Sequence, residues 1–292
     1  MPELPELEAL AHFLDRQSRG RHLTRLELAS LSALKTVRPG LQDLVGRRVE
    51  GWERRGKYLC LRAEHDFLVL HLARGGWVHW SDRLSQVVAR PTRGPLTLRV
   101  GLESLGGSEG APGFEVTEMG SEKRVALWVV EQPERVGPVA LLGPDALDPN
   151  LDSQALAGIL ERARGTIKTA LTTQSLIAGV GNAYSDEVLH LARLSPFRAA
   201  ASLSGLEVAE LHRCLVERLG EAVALASRLQ PDRLKPEKHT AMRVHGRTGL
   251  PCPQCGDTIR QVAFATRSLQ YCPRCQTRGR VLSDRRLSRL LK

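Results

Sequence analysis

The sequence contains no apolar run that approaches the length of a membrane span. No targeting segment is recognisable ahead of the first helical pattern, so we expect a cytoplasmic protein with no membrane partner. Acidic residues are few relative to basic ones, 32 Asp and Glu against 42 Lys and Arg, which leaves a net charge of +10. Because basic surfaces bind phosphates with release of counterions, this balance favours a polyanionic partner, with an ordinary basic solvated surface as the alternative.

The composition is otherwise that of a globular protein, with 42% hydrophobic and 25% charged residues. A chain of 292 residues is long enough for two domains, each with its own core. The positive charge is concentrated near the end of the chain, where eight Lys or Arg residues and one acid lie between Arg267 and Lys292. We therefore expect a basic patch in this part of the molecule.

Four of the six cysteines form two C-x2-C pairs separated by sixteen residues. They are Cys252, Cys255, Cys272 and Cys275. Each pair can aim two sulfurs at one point, and the spacing predicts a closed, structural zinc site with four thiolate ligands on a β-hairpin. Two disulfides are the alternative, and they would need an oxidising compartment. Cys60 and Cys214 lie in apolar surroundings and are predicted to be buried thiols.

The opening residues, MPELPELEALAHFLD, predict a helix that begins almost at once, since Pro5 suits a first helical position. If Met1 is removed, which the small Pro2 would permit, the new terminus is a secondary amine just ahead of that helix. Such an amine is partly unprotonated at neutral pH, and Glu3 and Glu6 lie within one turn of it. The group is either a nucleophile with two proton shuttles or ordinary capping of a helix by Pro and Glu.

Short apolar runs and alternations between residues 23 and 130 predict a β-sandwich or flattened barrel. The predicted strands lie at 26–28, 58–61, 67–72, 96–100, 114–116 and 125–130. Lys57 precedes one predicted strand, in RRGKYL, and His71 and Arg74 follow the next apolar run, in HLARGG. Each is either an ordinary polar residue at a strand end or a phosphate contact. The proline-rich segment 131–150 is typical of an interdomain linker.

After residue 151 the pattern becomes helical, with helices predicted over 156–162, 167–173, 183–194 and 206–229. Two glycines and Asn182 precede the third of these helices, in IAGVGNAYSDE. A glycine turn ahead of a helix favours anion binding because unpaired backbone amides point outward. A plain connection with Asn182 as the N-cap is the alternative.

Six short motifs, in this order, resemble the formamidopyrimidine-DNA glycosylase and endonuclease VIII family of base-excision repair enzymes. They are MPELPE, RRGKYL, LGPDAL, VGNAYSDE, VHGRTGLPC and RSLQYCPRCQ. The resemblance implies an α+β fold in which an N-terminal β-sandwich domain with an N-terminal helix precedes a helix-two-turn-helix domain and a zinc-ribbon hairpin. We expect these domains at 1–130, 151–243 and 244–278, with the linker at 131–150 and a basic tail at 279–292.

The resemblance also implies a bifunctional DNA glycosylase and abasic-site lyase. In that family the damaged nucleotide is flipped out of the duplex, and an N-terminal proline attacks sugar C1′ to give an iminium. Pro2 matches this nucleophile, Glu3 matches the acid/base at the sugar ring, and Glu6 matches its supporting carboxylate. The iminium acidifies the C2′ proton, so that β-elimination and then δ-elimination cut the strand.

The family's DNA contacts map onto further positions. Lys57 matches a lysine that holds a phosphate and assists catalysis, while Asn182 and Arg267 match a pair that clamps phosphates around the lesion; we count Arg267 among the catalytic residues as well. The remaining expected DNA contacts are His71, Arg74 and Lys168. The implied partner is damaged double-stranded DNA, bound by a monomer that holds one structural zinc.

Departures from the family bear on the choice of base. Members that excise 8-oxoguanine carry a methionine after the lysine strand and an Arg-aromatic pair in a later loop, which together fill the hole left by the flipped base. Here Arg74 stands near the methionine position, TEMGSEKR from Thr117 lacks the pair, and aromatic residues make up only 4% of the chain. The segment 230–242, where a base-capping loop is usual, is short. Oxidised purines are the default substrate, and oxidised pyrimidines, abasic sites or non-catalytic binding of damaged DNA are the alternatives.

Overall fold

The computed structural model describes residues 1–91, 94–104, 110–264 and 268–282, and the chain divides into two compact units. The first unit comprises Met1–Leu141 and Leu225–Leu234, and the second comprises the rest of the described chain. Among the helices in those ranges, none combines the length and the apolar character needed to cross a bilayer.

The first unit is built on helix α1 (Leu4–Ser18) and two sheets. Leu7, Leu10 and Leu14 are spaced by three and four residues, so they share one face of α1. All three are at most 1% exposed and pack in the same core as the strands. The apolar face of α1 therefore closes one side of this core.

Eight antiparallel strands form the two sheets, in the orders β1-β6-β7-β5 and β2-β3-β4-β8. They are β1 (Leu23–Leu28), β2 (Val49–Arg55), β3 (Tyr58–Ala63), β4 (Asp66–His71), β5 (Gly76–Ser81), β6 (Leu96–Leu102), β7 (Gly113–Glu118) and β8 (Ala126–Val130). Trp52 of β2 and Phe114 of β7 meet edge to face across the two sheets, with ring centroids 5.4 Å apart. The sheets thus pack face to face around one apolar core.

A short return of the chain completes the first unit. A short helix, α2 (Gly137–Ala140), ends its first part, and Leu225–Leu234 then rejoins it. Ala226 and Leu234 enter the sandwich core. Trp77 donates its indole N–H to the backbone oxygen of Pro231 at 3.2 Å, which fixes this return against β5.

The second unit is mainly helical and ends in a hairpin. Its elements are α3 (Ser153–Arg162), α4 (Ile167–Thr172), α5 (Asn182–Leu191), α6 (Gly205–Ala226), α7 (Leu234–Ala241), β9 (Arg260–Ala263), β10 (Ser268–Tyr271) and α8 (Pro273–Thr277). Asp152 caps α3 by accepting from the Ala155 N–H at 2.7 Å, and Thr166 caps α4. β9 and β10 pair antiparallel, from Ser268 opposite Ala263 to Tyr271 opposite Arg260.

The predicted fold class is confirmed, and the element boundaries differ in detail. Strands β2 and β5 were not among the predicted strands. Helix α5 begins at Asn182, with Gly181 as its N-cap, so Asn182 is not the N-cap. The glycine takes the extended cap conformation, which moves the helix start one residue earlier than the sequence pattern indicated. Helix α5 also ends three residues before the predicted boundary.

Candidate active site and zinc centre

The chain start gathers two buried carboxylates beside Pro2. Glu3 has an extended backbone and donates its N–H to Glu6 Oε2 at 2.8 Å, which fixes the entry into α1. Glu3 is 3% exposed and Glu6 is 2% exposed, and Pro2 is buried next to them. Water-excluded carboxylates at a helix start can exchange protons with a group held close to them.

Arg54, near the end of β2, ties α1 to the turn that carries Lys57. Its Nε donates to Glu8 Oε2 in α1 at 2.6 Å, and its Nη1 donates to the backbone oxygen of Gly56 at 3.0 Å. Gly56 has a φ of +54°, a left-handed conformation that glycine adopts without strain. Lys57 follows directly and is buried. Arg54 therefore holds the turn of Lys57 in register with the first half of α1.

His71, at the end of β4, has its imidazole against the ring of Tyr58, with centroids 4.8 Å apart. Burial, and secondarily the positive charge of Lys57, lower the pKa of His71 to about 4. The ring is therefore neutral at pH 7. If His71 contacts a phosphate at that pH, it does so as a neutral N–H donor.

Arg74 and Met119 lie on two loops that touch. Both side chains are exposed, and the Met119 N–H donates to the backbone oxygen of Gly75 at 3.1 Å. A Cβ on Gly75 would stand 2.3 Å from the Met119 oxygen, so only glycine permits this approach. Buried Glu118 orders the second loop by accepting from the Arg124 N–H at 2.6 Å. Met119 was not among the residues predicted from the sequence, and a lone methionine in the otherwise polar TEMGSEKR was the signal that could have found it.

The turn before α5 closes around Gln174. Its side chain accepts from the Gly179 N–H at 3.0 Å and donates to the Val180 oxygen at 2.8 Å. Gly179 has a φ of +96°, which again requires glycine. Asn182 then donates its side-chain N–H to the backbone oxygen of Ser268 at 2.8 Å, so the start of α5 lies against β10.

Lys168, from α4, is only 8% exposed and points into the first turn of α5. Its ammonium donates to the Asn182 backbone oxygen at 3.1 Å, to Ser185 Oγ at 2.8 Å and to Asp186 Oδ1 at 2.6 Å. These contacts occupy all three N–H groups of the lysine. A phosphate bound by Lys168 would have to replace one of them.

Two acids that the sequence analysis did not select, Asp186 and Glu187, join α5 to the ribbon. Both are at most 1% exposed. Glu187 accepts the backbone N–H groups of residues 243–245 at 2.8 to 2.9 Å. Asp186 Oδ2 accepts from His245 Nδ1 at 2.7 Å and from the Gln270 N–H at 3.2 Å. Adjacent acids inside the VGNAYSDE motif were the signal that could have found them.

The four thiols of the two C-x2-C pairs converge at one end of the hairpin. Cys252 Sγ lies 3.9 Å from Cys275 Sγ, and Cys255 Sγ lies 3.4 Å from Cys272 Sγ, with all four thiols free. Sulfurs at these separations suit a tetrahedral shell, in which each Zn–S bond is about 2.3 Å. A fifth donor is close by, because His190 Nε2 of α5 lies 3.3 Å from Cys252 Sγ.

The other two cysteines play no such part. Cys60 and Cys214 are both fully buried, as predicted. Burial raises the pKa of each thiol to about 12, so neither forms a thiolate nucleophile at neutral pH.

Family models match three successive parts of the chain. The formamidopyrimidine-DNA glycosylase N-terminal domain matches residues 1–109, and the H2TH domain of the same glycosylase matches residues 142–230. A zinc finger found in FPG and IleRS matches residues 249–278. A formamidopyrimidine-DNA glycosylase of Symbiobacterium thermophilum is 34% identical over 300 residues, which cover 98% of this chain and 93% of that relative.

The chain belongs to the formamidopyrimidine-DNA glycosylase family.

A Mycobacterium tuberculosis protein described as an uncharacterized formamidopyrimidine-DNA glycosylase-like protein is 55% identical over 151 residues, covering 52% of this chain and 94% of that protein. Among solved structures, the Lactococcus lactis glycosylase bound non-covalently to DNA with an AP site has a TM-score of 0.78 and 26% identity, and the match covers 94% of this chain and 99% of that one. MutM in complex with DNA containing carbocyclic 8-oxo-G has a TM-score of 0.79 and 25% identity, over 94% of this chain and 100% of that one.

Membership of the formamidopyrimidine-DNA glycosylase family, predicted from six short motifs, is thus confirmed. The protein is a DNA glycosylase of base-excision repair, its partner is DNA, and its finger holds one structural zinc. Arg267 lies outside the described residues, as do residues 283–292 of the expected basic tail. The other predicted site residues lie at the chain start, in the turn before β3, at and just after the end of β4, in α4, at the start of α5 and in the finger.

Proposed function

We propose that the protein excises oxidised bases and then cuts the strand at the abasic site through an N-terminal proline nucleophile. The observation that carries this proposal is the burial of Glu3 and Glu6 within four positions of Pro2, which is buried as well. Sequestering two carboxylates costs free energy, and a surface that only binds phosphates gains nothing from it. A reaction that moves protons at a sugar uses both groups.

In the proposed reaction, removal of Met1 frees the Pro2 nitrogen, which attacks sugar C1′ of the flipped nucleotide and displaces the damaged base. Glu3 protonates the ring oxygen as the sugar opens, which leaves an iminium between Pro2 and C1′. Loss of the acidified C2′ proton expels the 3′ phosphate, and a second elimination expels the 5′ phosphate. Glu6 holds Glu3 in place, in keeping with the 2.8 Å bond from the Glu3 N–H to its carboxylate.

The same proposal assigns residues to the phosphates of the DNA backbone. Lys57, fixed through Arg54 and Gly56, holds a phosphate and assists at the sugar, while Asn182 and Arg267 clamp the backbone around the lesion. The further contacts are His71, Arg74 and Lys168. The excess of basic residues supports binding by counterion release, and we propose that the protein binds as a monomer. The proposed zinc ligands are Cys252, Cys255, Cys272 and Cys275.

The preferred base is proposed to be an oxidised purine, with oxidised pyrimidines or bare abasic sites as a second candidate. The second candidate rests on Arg74 and Met119, because the exposed loops that carry them have no arginine-aromatic pair. Helix α7 also occupies much of the short segment 230–242, where a base-capping loop is usual in the family. Methionine is flexible and fills irregular gaps, whereas an aromatic ring presents a rigid flat face.

Borohydride trapping tests the mechanism directly. The mature protein is reduced on duplexes that carry an abasic site, 8-oxoguanine or an oxidised pyrimidine. We expect a covalent cross-link whose peptide maps to Pro2, and the relative yields rank the three substrates. The matched control is the same chain with one extra residue ahead of Pro2, which turns the amine into an amide and should abolish the cross-link without loss of DNA affinity.

The rival function is non-catalytic recognition of damaged DNA. It predicts tight binding to the abasic duplex with no cross-link on any substrate, and that result would overturn the enzymatic proposal. A cross-link that maps to a lysine and survives the N-terminal extension would keep the lyase and reject Pro2 as its nucleophile.

A further inference from the structure

His190 lies in the last turn of α5 and faces the zinc finger. It is 5% exposed, and its Nε2 lies 3.3 Å from Cys252 Sγ. Nε2 and the sulfurs of Cys252, Cys272 and Cys275 all lie within 4.8 Å of one another. Five donors therefore crowd a site that has four tetrahedral positions.

The surroundings of the second ring nitrogen, Nδ1, distinguish two roles for His190: a zinc ligand, or an N–H donor to the Cys252 sulfur. If Nε2 bound the metal, the proton of the neutral ring would sit on Nδ1, and a zinc-binding histidine normally donates that N–H to an acceptor. Nδ1 of His190 is buried and has no hydrogen-bond partner among the described residues. If Nε2 carries the proton instead, it donates to the Cys252 sulfur, and Nδ1 is left with a lone pair and no stranded N–H. The geometry favours the second arrangement.

The charge of the centre favours it as well. Four thiolates around Zn²⁺ leave a net charge of −2, and Cys252 and Cys272 are at most 2% exposed. A buried N–H donor aimed at one sulfur lowers the electron density on that thiolate and stabilises the centre. Elsewhere on α5, Asp186 and Glu187 accept N–H groups from the ribbon backbone. The same helix therefore supplies acceptors to the ribbon backbone and a donor to its metal centre.

We propose that His190 is a positioning residue of the zinc centre, which donates Nε2–H to the Cys252 thiolate and couples the metal to the helix that begins at Asn182. The proposal rests on the four-thiolate ligand set proposed above and is independent of the glycosylase and lyase chemistry. The first test therefore uses no DNA.

Zinc release provides the test. We expect His190→Phe, which keeps the ring volume and removes the donor, to bind one zinc but to lose it to a chelator roughly 10- to 100-fold faster than the parent. His190→Gln keeps an N–H donor and should recover most of the slow release. His239→Phe, the same change at an exposed position of α7, is the control and should match the parent. Equal release rates for the parent and His190→Phe would overturn the proposal and leave His190 as packing.

Cobalt substitution and nitrogen NMR test the same point without relying on a variant that folds. The Co²⁺ form of the parent should show sulfur-to-metal charge-transfer intensity for four thiolates. In the Cd²⁺ form, the His190 ring should carry its proton on Nε2. A three-thiolate spectrum, or direct scalar coupling between Cd²⁺ and Nε2, would make His190 a ligand and overturn both the positioning role and the four-cysteine set, while the trapping result with Pro2 would stand.

Discussion

His71 illustrates how one partly buried ring makes the stability of this protein depend on pH. Its imidazole is packed on Tyr58. Burial, and secondarily the positive charge of Lys57, lower the pKa of this ring from 6.5 to about 4. In the unfolded chain the ring binds a proton at about pH 6.5, whereas in the folded chain it resists protonation until pH 4. The unfolded state thus holds more protons between these values, so this residue lowers the stability as the pH falls through that window.

We expect His71→Phe to remove this loss while preserving the ring contact with Tyr58. A pKa difference of this size corresponds to about 3 kcal/mol of unfolding free energy, present above pH 6.5 and lost by pH 4. Urea unfolding followed by tryptophan fluorescence at several pH values measures it, and Trp128 lies 6.1 Å from Tyr58 as a local reporter. His65→Phe, at an exposed position, is the control. Parallel pH profiles for the parent and His71→Phe would contradict the assignment.

At this scale the sequence predicts candidate residues that lie together in a short local motif. Pro2, Glu3 and Glu6 stand within six residues of one another, and Lys57 lies in a turn whose glycine is visible in RRGKYL. The place of His190 beside the cysteines could not be predicted from the sequence, for a physical reason. Its partner is Cys252, sixty-two positions away, and a lone histidine on a helix carries no mark of which side chain it will meet.

At the scale of elements, Arg54 links helix, strand and turn. Its contacts to Glu8 and to the Gly56 oxygen keep the β2–β3 turn against α1, and its side chain is 8% exposed. Since Lys57 follows Gly56, the position of its ammonium depends on this link. If Lys57 assists at the sugar as proposed, Arg54 affects catalysis by fixing the position of Lys57.

We expect Arg54→Met to slow formation of the trapped cross-link on abasic DNA by about tenfold or more, because small misplacements of an assisting group have large effects on rate. Single-turnover trapping measures this rate, and a fluorescence titration measures DNA affinity, which should change far less. Arg55→Met is the matched control, since Arg55 is half-exposed and pairs with Glu53, two residues earlier in the same strand. Equal slowing by both variants would argue against a specific role for Arg54.

Elements with clear periodicity were predicted well, and those with mixed faces were not. Helix α1 shows its apolar face in the sequence, and β4 reads as a continuous apolar run. Strand β2 (VEGWERR) ends in three charged residues, and β5 (GWVHWS) mixes tryptophans with polar positions. Both strands owe their place in the sheets to pairing with another strand. β2 pairs with β3 across a two-residue turn and β5 pairs with the distant β7, and the residue pattern within β2 or β5 does not encode either partner.

At the scale of the whole molecule, the two units carry different reporters. All four tryptophans, Trp52, Trp77, Trp80 and Trp128, belong to the first unit. The zinc donors and the acids that hold the ribbon belong to the second. Each unit has buried apolar residues of its own. Loss of the metal should therefore lower the stability of the second unit more than that of the first.

We expect chelation of zinc to leave the urea midpoint of tryptophan fluorescence unchanged, because no tryptophan belongs to the unit that the metal stabilises. Hydrogen exchange in the second unit, by contrast, should change when zinc is removed. The amides of residues 243–245 and of Gln270, which Glu187 and Asp186 hold, should exchange faster once the thiolates lose their ion. Restoring zinc should reverse this change and serves as the control. A lower tryptophan midpoint after chelation would mean that the units unfold as one, in which case the metal stabilises the sandwich as well as the finger.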